Sequence, residues 1–321
     1  MKSVNSWKRL LPICLVGIIA PTSSATADPE GPAAPPAAMV SPTAVDDLGD
    51  TLTLERVPQR IVSLAPSNTE FLFAIGLGDR VVGVTEYCNY PDAASRVERV
   101  AGFSTLSAEK IASVEPDLVL AARGNDLEGL EMVRKMGIPV FAIDVQSVDQ
   151  LVEVVRRIGR ITGADAAAGE LADSLHGRII TVRQAISESK AERPKVFWGF
   201  WGEPIYTAGA GTIIDDVIHQ AGGDNVGRSA PGSWPQIGLE ALVALAPEVI
   251  ITTSSPGGVD AMAGQIDRLR SFEGWKSLPA VKSGRVHFIE GDLLTRPGPR
   301  LIEALEQLAL IFQQGSGPSA E

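Results

Sequence analysis

An internal repeat constrains the fold of this chain more than any other feature of its sequence. Residues 106–120 align with residues 237–251. The matching glutamates, Glu109 and Glu240, are 131 residues apart, and the prolines that follow them have the same spacing. Each copy has the pattern of a short helix with a glutamate in its first turn, a Pro-acidic turn and a buried parallel strand. The repeat therefore predicts two lobes of the same construction.

The sequence around the repeats alternates short β-branched runs with helical patterns, which is typical of parallel strands joined by crossover helices. A looser match pairs residues 67–76 with 212–222 and predicts a capped helix that ends at glycine in each lobe. Between the strand-rich parts, apolar residues recur at three- and four-residue steps over about residues 163–192. We therefore predict an α/β fold: two Rossmann-like lobes with parallel sheets, joined by one long rigid backbone helix.

The first 27 residues have the composition of an export signal. Three basic residues precede an apolar run at 10–20, and Ala25-Thr26-Ala27 has the small-x-small pattern of a cleavage site. We expect cleavage near Ala27 and a free protein outside the cytoplasm. The predicted organisation is a signal peptide at 1–27, a Pro/Ala-rich disordered leader at 28–50, an N-terminal lobe at 51–160, a linking helix at 161–193, a C-terminal lobe at 194–314 and a disordered tail at 315–321.

Charge and cysteine content exclude several classes of partner and of fold. The formal net charge is −11, and loss of the three basic residues in the predicted signal makes it −14. Such a charge disfavours nucleic acid and anionic membranes as partners. Only Cys88 remains after the predicted cleavage, so no internal disulfide is possible and two apolar cores must stabilise the fold.

The sequence has no pattern that predicts catalysis or a metal site. Its three histidines, His176, His219 and His287, lack the spacing of metal ligands, and we interpret them as structural. Residues 209–212 resemble half of a phosphate-binding loop but lack the third glycine. No Gly-x-Ser-x-Gly motif is present. We therefore predict no catalytic residue and no catalytic cofactor, with a secreted enzyme as a remote alternative.

Aromatic residues are concentrated just after strands and in loops, where ligands of α/β proteins bind. Trp234, in the Gly- and Pro-flanked segment 230–236, has little to pack on except a ligand and favours contact with a large one. Phe197 lies mid-strand and is predicted to be core. The candidate ligand-binding aromatics are Tyr87, Phe103, Phe200, Trp201, Tyr206 and Trp234.

The two repeated glutamates have two interpretations. A glutamate in the first turn of a helix usually stabilises the helix dipole. A symmetric pair on two lobes also fits docking to a partner with two equivalent basic sites, and both interpretations are compatible.

Four segments resemble the periplasmic cobalamin-binding proteins, within the helical-backbone class of iron–siderophore, haem and cobalamin receptors. They are residues 60–70, 82–91, 116–119 and 233–236, and the similarity extends over about residues 57–313. The resemblance implies a monomeric periplasmic protein that captures a corrinoid between its lobes. It also implies delivery of that ligand to a dimeric ABC permease in the inner membrane.

The resemblance also assigns roles to residues. It implies ligand contacts from Tyr87, Phe103, Phe200, Trp234 and Asp292. Glu109 and Glu240 match the glutamates that pair with permease arginines in the family. Phe103 and Ala122 depart from the pattern, because cobalamin-binding relatives tend to carry tryptophan at both positions.

Haem and ferric siderophores are the rival ligands. Haem-binding relatives place an iron-ligating tyrosine in the stretch that reads Gly-Phe-Ser-Thr-Leu-Ser-Ala-Glu at 102–109 here. Phe103 cannot coordinate iron, which argues against haem. Anionic ferric siderophores require a cluster of arginines, for which Arg123, Arg228 and Arg296 are the candidates. A ferric siderophore is therefore the alternative to a corrinoid.

Overall fold

The computed structural model describes residues 41–199, 204–253, 266 and 269–314. The predicted signal peptide, the predicted tail and two candidate ligand residues, Phe200 and Trp201, lie outside these described residues. Among the helices that are described, none combines the length and the apolar character needed to cross a membrane.

The N-terminal lobe is built on a five-stranded parallel sheet with strand order β5-β4-β3-β6-β7. Buried strands such as Leu118–Ala122 are almost wholly apolar, as expected for a sheet covered on both faces. Its elements are β1 Thr43–Val45, β2 Thr51–Thr53, β3 Ile61–Ser63, α1 Pro66–Ala74, β4 Val81–Thr85, β5 Arg99–Ala101, α2 Ala108–Ser113, β6 Leu118–Ala122, α3 Leu127–Lys135 and β7 Val140–Ile143.

Two helices connect the lobes: α4 Val148–Thr162 and α5 Asp165–Glu188. Helix α5 has 24 residues and so spans about 36 Å at about 1.5 Å per residue. Its buried residues, Ala168, Ala172, Leu175, Ile179 and Val182, recur at three- and four-residue steps. The predicted linking segment, 161–193, includes the end of α4 as well as α5, because Gly163 ends the first helix.

The C-terminal lobe contains a four-stranded parallel sheet with strand order β10-β8-β12-β13. A short antiparallel pair, β9 with β11, lies outside that sheet. The elements are β8 Lys195–Trp198, β9 Ile205–Tyr206, α6 Ile213–Gln220, β10 Asp224–Asn225, β11 Gln236–Ile237, α7 Leu239–Leu245, β12 Val249–Thr253, α8 Pro279–Lys282, β13 Val286–Ile289, α9 Gly291–Thr295 and α10 Leu301–Gln313.

This architecture confirms the predicted fold class of two α/β lobes with parallel sheets. Helix α5 is the predicted long helix, and α4 packs beside it between the lobes. The repeated segments form α2 with β6 in one lobe and α7 with β12 in the other. Each of these strands pairs with a parallel strand on both sides. Its carboxyl end and those of its two neighbours therefore lie at the same edge of the sheet.

The predicted disordered leader is wrong at its carboxyl-terminal end. Residues 43–45 form β1, which pairs antiparallel with β2. The Asp46 carboxylate accepts hydrogen bonds from the backbone N–H groups of Leu48 and Asp50, each at 2.9 Å, and so closes the turn. Ala44 is buried in the N-terminal core. Two three-residue strands are too short to be recognised from alternation alone.

The predicted caps differ between the two matched helices. In α6, the Thr212 hydroxyl accepts a hydrogen bond from the backbone N–H of Asp215 at 3.2 Å, as the sequence predicts. Helix α1 has no side-chain cap; it begins at Pro66, whose fixed φ and missing N–H suit the first turn. The prediction of a cap from residue 67 is therefore wrong, because the helix begins one residue earlier.

Candidate functional site

A cleft of about 930 Å³ lies between the two lobes, within the size range of small-molecule sites. Its N-terminal wall consists of segments that follow strands β3, β4, β5, β6 and β7, and its C-terminal wall includes the start of α6 and the loop before β11. The segments of the N-terminal wall lie at the carboxyl edge of the parallel sheet, where ligands of α/β proteins bind.

Six of the residues selected from the sequence line this cleft. Tyr87, Phe103 and Arg123 lie on the N-terminal wall, while Trp234, Asp292 and Arg296 lie on the C-terminal wall. The Tyr87 and Trp234 side chains are well exposed, at 57% and 56%. Two large aromatic surfaces from opposite lobes are therefore available to one ligand.

Trp234 is supported by a residue that the sequence analysis did not select. Its ring lies 6.0 Å from the ring of buried Trp198, at an interplanar angle of 59°. The expectation that Trp234 has little to pack on except a ligand is therefore wrong in part, because its ring also contacts Trp198. Trp198 ends strand β8, and that position is the signal by which the sequence could have identified it.

Tyr206 does not line the cleft, contrary to its selection as a ligand-binding residue. It lies on β9, where Ile205 is buried and Tyr206 is about half exposed. Successive side chains of a strand point to opposite faces, so burial of the isoleucine directs the tyrosine outward.

The described cleft lining contains four charged residues, two of each sign. Arg123 pairs with Asp144 at 3.1 Å, and Arg296 pairs with Asp292 at 2.9 Å. Arg228, the third arginine considered for an anionic ligand, pairs with buried Asp215 at 3.2 Å. All three candidate arginines therefore have carboxylate partners, and the formal charge of the described lining is zero.

Sequence reasoning missed the helix starts that complete the lining. Residues 65–67 at the start of α1 and 211–213 at the start of α6 both reach the cleft. They come from the looser of the two internal matches, which placed these helices at equivalent positions. That match is the signal by which they could have been found.

Asp292 is also part of a contact between the lobes. The Asn89 amide of the N-terminal lobe donates to the Asp292 carboxylate at 3.2 Å and accepts a hydrogen bond from Arg296. The Asn89 side chain thus links the N-terminal lobe to Asp292 and Arg296, which line the C-terminal wall of the cleft.

A second contact between the lobes joins Glu70 on α1 to Arg300 at the start of α10. The guanidinium group donates to both carboxylate oxygens, at 3.0 and 2.7 Å, and lies 3.8 Å from the centre of the Tyr90 ring. Burial raises the pKa of Glu70, and the hydrogen bonds from Arg300 oppose that shift. The same hydrogen bonds raise the pKa of Arg300.

Glu109 and Glu240 lie outside the cleft lining, in the first turns of α2 and α7. Both are exposed. Hydrogen bonds from its own backbone N–H and from the Ser107 hydroxyl lower the pKa of Glu109, which keeps this carboxylate ionised at neutral pH. Neither glutamate is placed to touch a ligand in the cleft.

Comparison with known proteins gives the family. The family model described as periplasmic binding protein matches residues 61–293, which include strands of both sheets and most of the cleft. The chain belongs to the periplasmic binding protein family.

Individual members of this family show which proteins the chain resembles. An uncharacterized ABC transporter substrate-binding lipoprotein of Bacillus subtilis (strain 168), YvrC, is 35% identical over 315 residues, 96% of each chain. The periplasmic vitamin B12 binding protein BtuF of Vibrio cholerae is 28% identical with a TM-score of 0.71, over 80% of this chain and 97% of that one. The periplasmic heme-binding protein RhuT from Roseiflexus sp. RS-1 is 27% identical with a TM-score of 0.71, over 81% and 99%.

These findings make the chain an extracytoplasmic substrate-binding protein of the ABC importer class. Within the described part of the chain, His, Cys, Asp and Glu side chains do not gather in groups of three or more that would suit a metal ion. Two of these proteins are named for different ligands, vitamin B12 and heme, so the ligand of this chain has to be argued from its own cleft.

Proposed function

We propose that the protein captures a corrinoid, cobalamin or a close relative, in the inter-lobe cleft and delivers it to an ABC permease. The observation that carries this proposal is the balanced charge of an aromatic cleft. Cobalamin is a large ring system whose periphery carries mostly neutral amide groups. Exposed aromatic faces from both lobes suit its flat surfaces, and paired charges suit amide groups, which both accept and donate hydrogen bonds.

The charge pairs disfavour the rival ligands. An anionic siderophore has to draw arginines away from Asp144, Asp292 and Asp215, because each candidate arginine already has a carboxylate partner. Haem presents two carboxylates and an iron atom that requires an axial ligand. Phe103 provides no such ligand, so haem binding would depend on exposed Tyr87 among the aromatics selected from the sequence.

A ligand screen tests this proposal directly. We expect cyanocobalamin and cobinamide to bind one to one in titration calorimetry. Each should also raise the melting temperature, because a ligand at 100 times its Kd stabilises the folded state by about 2.7 kcal/mol. Haemin and an anionic ferric catecholate siderophore serve as comparison ligands. Binding of either one without binding of a corrinoid would contradict the proposal.

Replacement of Trp234 by alanine should weaken corrinoid binding by about 1–3 kcal/mol, since a large aromatic contact at the ligand is lost. The fold should lose little stability, because more than half of the side chain is already exposed. Calorimetry and thermal melting measure the two effects separately. Tyr206→Ala is the matched control, since this aromatic residue has similar exposure but lies outside the cleft lining. Equal losses of affinity in the two variants would show that the ligand lies elsewhere.

Delivery requires a surface that the permease recognises, and we assign it to Glu109 and Glu240. They are equivalent in the internal repeat, exposed, and separate from the cleft. A dimeric permease with one basic site per subunit would match a monomer that carries one carboxylate on each lobe. The sequence resemblance supports the same roles.

A further inference from the structure

The side chain of Asn125 joins three segments of the N-terminal wall of the cleft. It is buried, with 5% of its surface exposed. Its amide nitrogen donates to the backbone carbonyls of Leu64 at 2.9 Å and Phe103 at 2.8 Å, and its oxygen accepts from the backbone N–H of Ala122 at 2.7 Å. Two carbonyl partners and one N–H partner fix the orientation of the amide. The backbone of Phe103 is therefore anchored to the ends of β3 and β6.

The ring of Phe103 is positioned by Gly124, the residue that precedes Asn125 in the chain. This glycine has a φ of +94°, a conformation that residues with a side chain rarely adopt. A Cβ atom there would lie 3.0 Å from Cε1 and 3.3 Å from Cζ of the Phe103 ring. The ring thus lies directly against the backbone of Gly124, and a methyl group there would have to push the ring away by a few tenths of an ångström.

Phe103 is the one large apolar side chain that the loops after β5 and β6 contribute to the described cleft lining. Ser104, Ala122 and Gly124 are small, and the remaining lining residue of these loops, Arg123, is charged and paired with Asp144. The position of the Phe103 ring therefore helps to set the shape of the cleft on this side.

We propose that Gly124 and Asn125 are positioning residues that hold the Phe103 ring as a ligand-contacting surface and thereby help to determine which ring ligand fits. This inference rests on the proposed function, since it takes the cleft as the ligand site. The amide fixes the backbone of Phe103, and the absence of a side chain at Gly124 fixes how deeply the ring lies.

Gly124→Ala tests the role of the glycine. We expect its affinity for cyanocobalamin to fall about tenfold, equivalent to about 1.4 kcal/mol, because the methyl group displaces the ring. Gly137→Ala is the matched control: Gly137 has a φ of +80° in the same lobe, and no atom lies within 4 Å of its added Cβ. Both variants carry the strain of a positive φ, but only Gly124→Ala should lose affinity.

A double-mutant cycle separates positioning from general damage to the fold. In a Phe103→Ala background, Gly124→Ala should have little further effect on affinity, because no ring remains to be displaced. Asn125→Asp removes the N–H donor to the Leu64 and Phe103 carbonyls while it keeps an acceptor for Ala122, and most of its effect on affinity should likewise disappear when the ring is absent. Equal effects of either change with and without the Phe103 ring would overturn the proposal.

A measurement without ligand makes the test independent of the proposed function. In protein labelled with 4-fluorophenylalanine, the ¹⁹F signal of Phe103, assigned by its loss in Phe103→Leu, should move in Gly124→Ala and not in Gly137→Ala. An unmoved signal overturns the positioning role. If the wild-type protein binds no corrinoid but the signal moves as expected, the proposed ligand is wrong while the positioning of Phe103 stands.

Discussion

Replacement of Arg300 by methionine should lower the free energy of unfolding by about 3–5 kcal/mol, because it leaves a buried carboxylate without its partner. Only 3% of the Glu70 side chain is exposed, and both carboxylate oxygens accept hydrogen bonds from Arg300. Water cannot replace those bonds without entry into the space between α1 and α10. Urea unfolding followed by circular dichroism measures the loss.

The loss of stability in Arg300→Met should depend on pH. Burial already raises the pKa of Glu70, and removal of Arg300 removes the two largest causes that lower it. A carboxyl group whose pKa is higher in the folded state binds more protons when folded, so the folded state gains stability as the pH falls. The loss should therefore be largest near pH 8 and smaller near pH 5.

The chain offers a matched control for this variant. Arg178 on α5 donates to both carboxylate oxygens of Glu306 on α10, at 2.8 and 2.7 Å, but more than a third of each side chain is exposed. Arg178→Met should cost no more than about 1 kcal/mol, as is usual for exposed pairs. The double variant Glu70→Gln, Arg300→Met should recover much of the loss, because no charge then remains buried. Similar losses for Arg300→Met and Arg178→Met would contradict the prediction.

The elements that sequence predicts well are those with local patterns. The short β-branched and apolar run 118–121 and its counterpart at 249–252 favour buried strands, and the helical period of α5 is readable over most of its length. The loops that carry Tyr87, Phe103 and Trp234 follow from the rule that ligands bind at the carboxyl ends of parallel strands. Fold class and most of the aromatic cleft were therefore predictable.

Partnerships between distant residues were not predictable. Glu70 and Arg300 are 230 positions apart, and the sequence pattern of Glu70 indicates only a residue of a helix. The pairs Arg123–Asp144 and Arg228–Asp215 decide whether the arginines are available to an anion, yet each depends on how two separate segments of the chain meet in three dimensions. The contact of Trp198 with Trp234 was not predictable for the same reason, since it requires the loop before β11 to approach the end of β8.

Reversal of both repeated glutamates, Glu109→Lys with Glu240→Lys, should reduce transport by more than about tenfold, because each lobe would then repel the basic site it docks to. Affinity for the ligand should stay within about twofold of wild type, since neither residue lines the cleft and most interface charges act through encounter and orientation. Ligand uptake into vesicles that contain the cognate permease, with calorimetry on the same variants, measures both quantities.

The symmetry of the repeat sharpens this prediction. Each glutamate occupies the first turn of a short helix that precedes an inner strand of its sheet, so the two single variants should impair transport to comparable degrees. Glu303→Lys is the matched control: this exposed glutamate also lies in the first turn of a helix, α10, but outside the repeat. Reversal there disturbs a helix dipole in the same way and should leave uptake unchanged. Normal transport by the double variant would contradict the docking role and leave Glu109 and Glu240 with a role only at their helix starts. Loss of ligand binding would also contradict it, because the two residues would then act at the cleft.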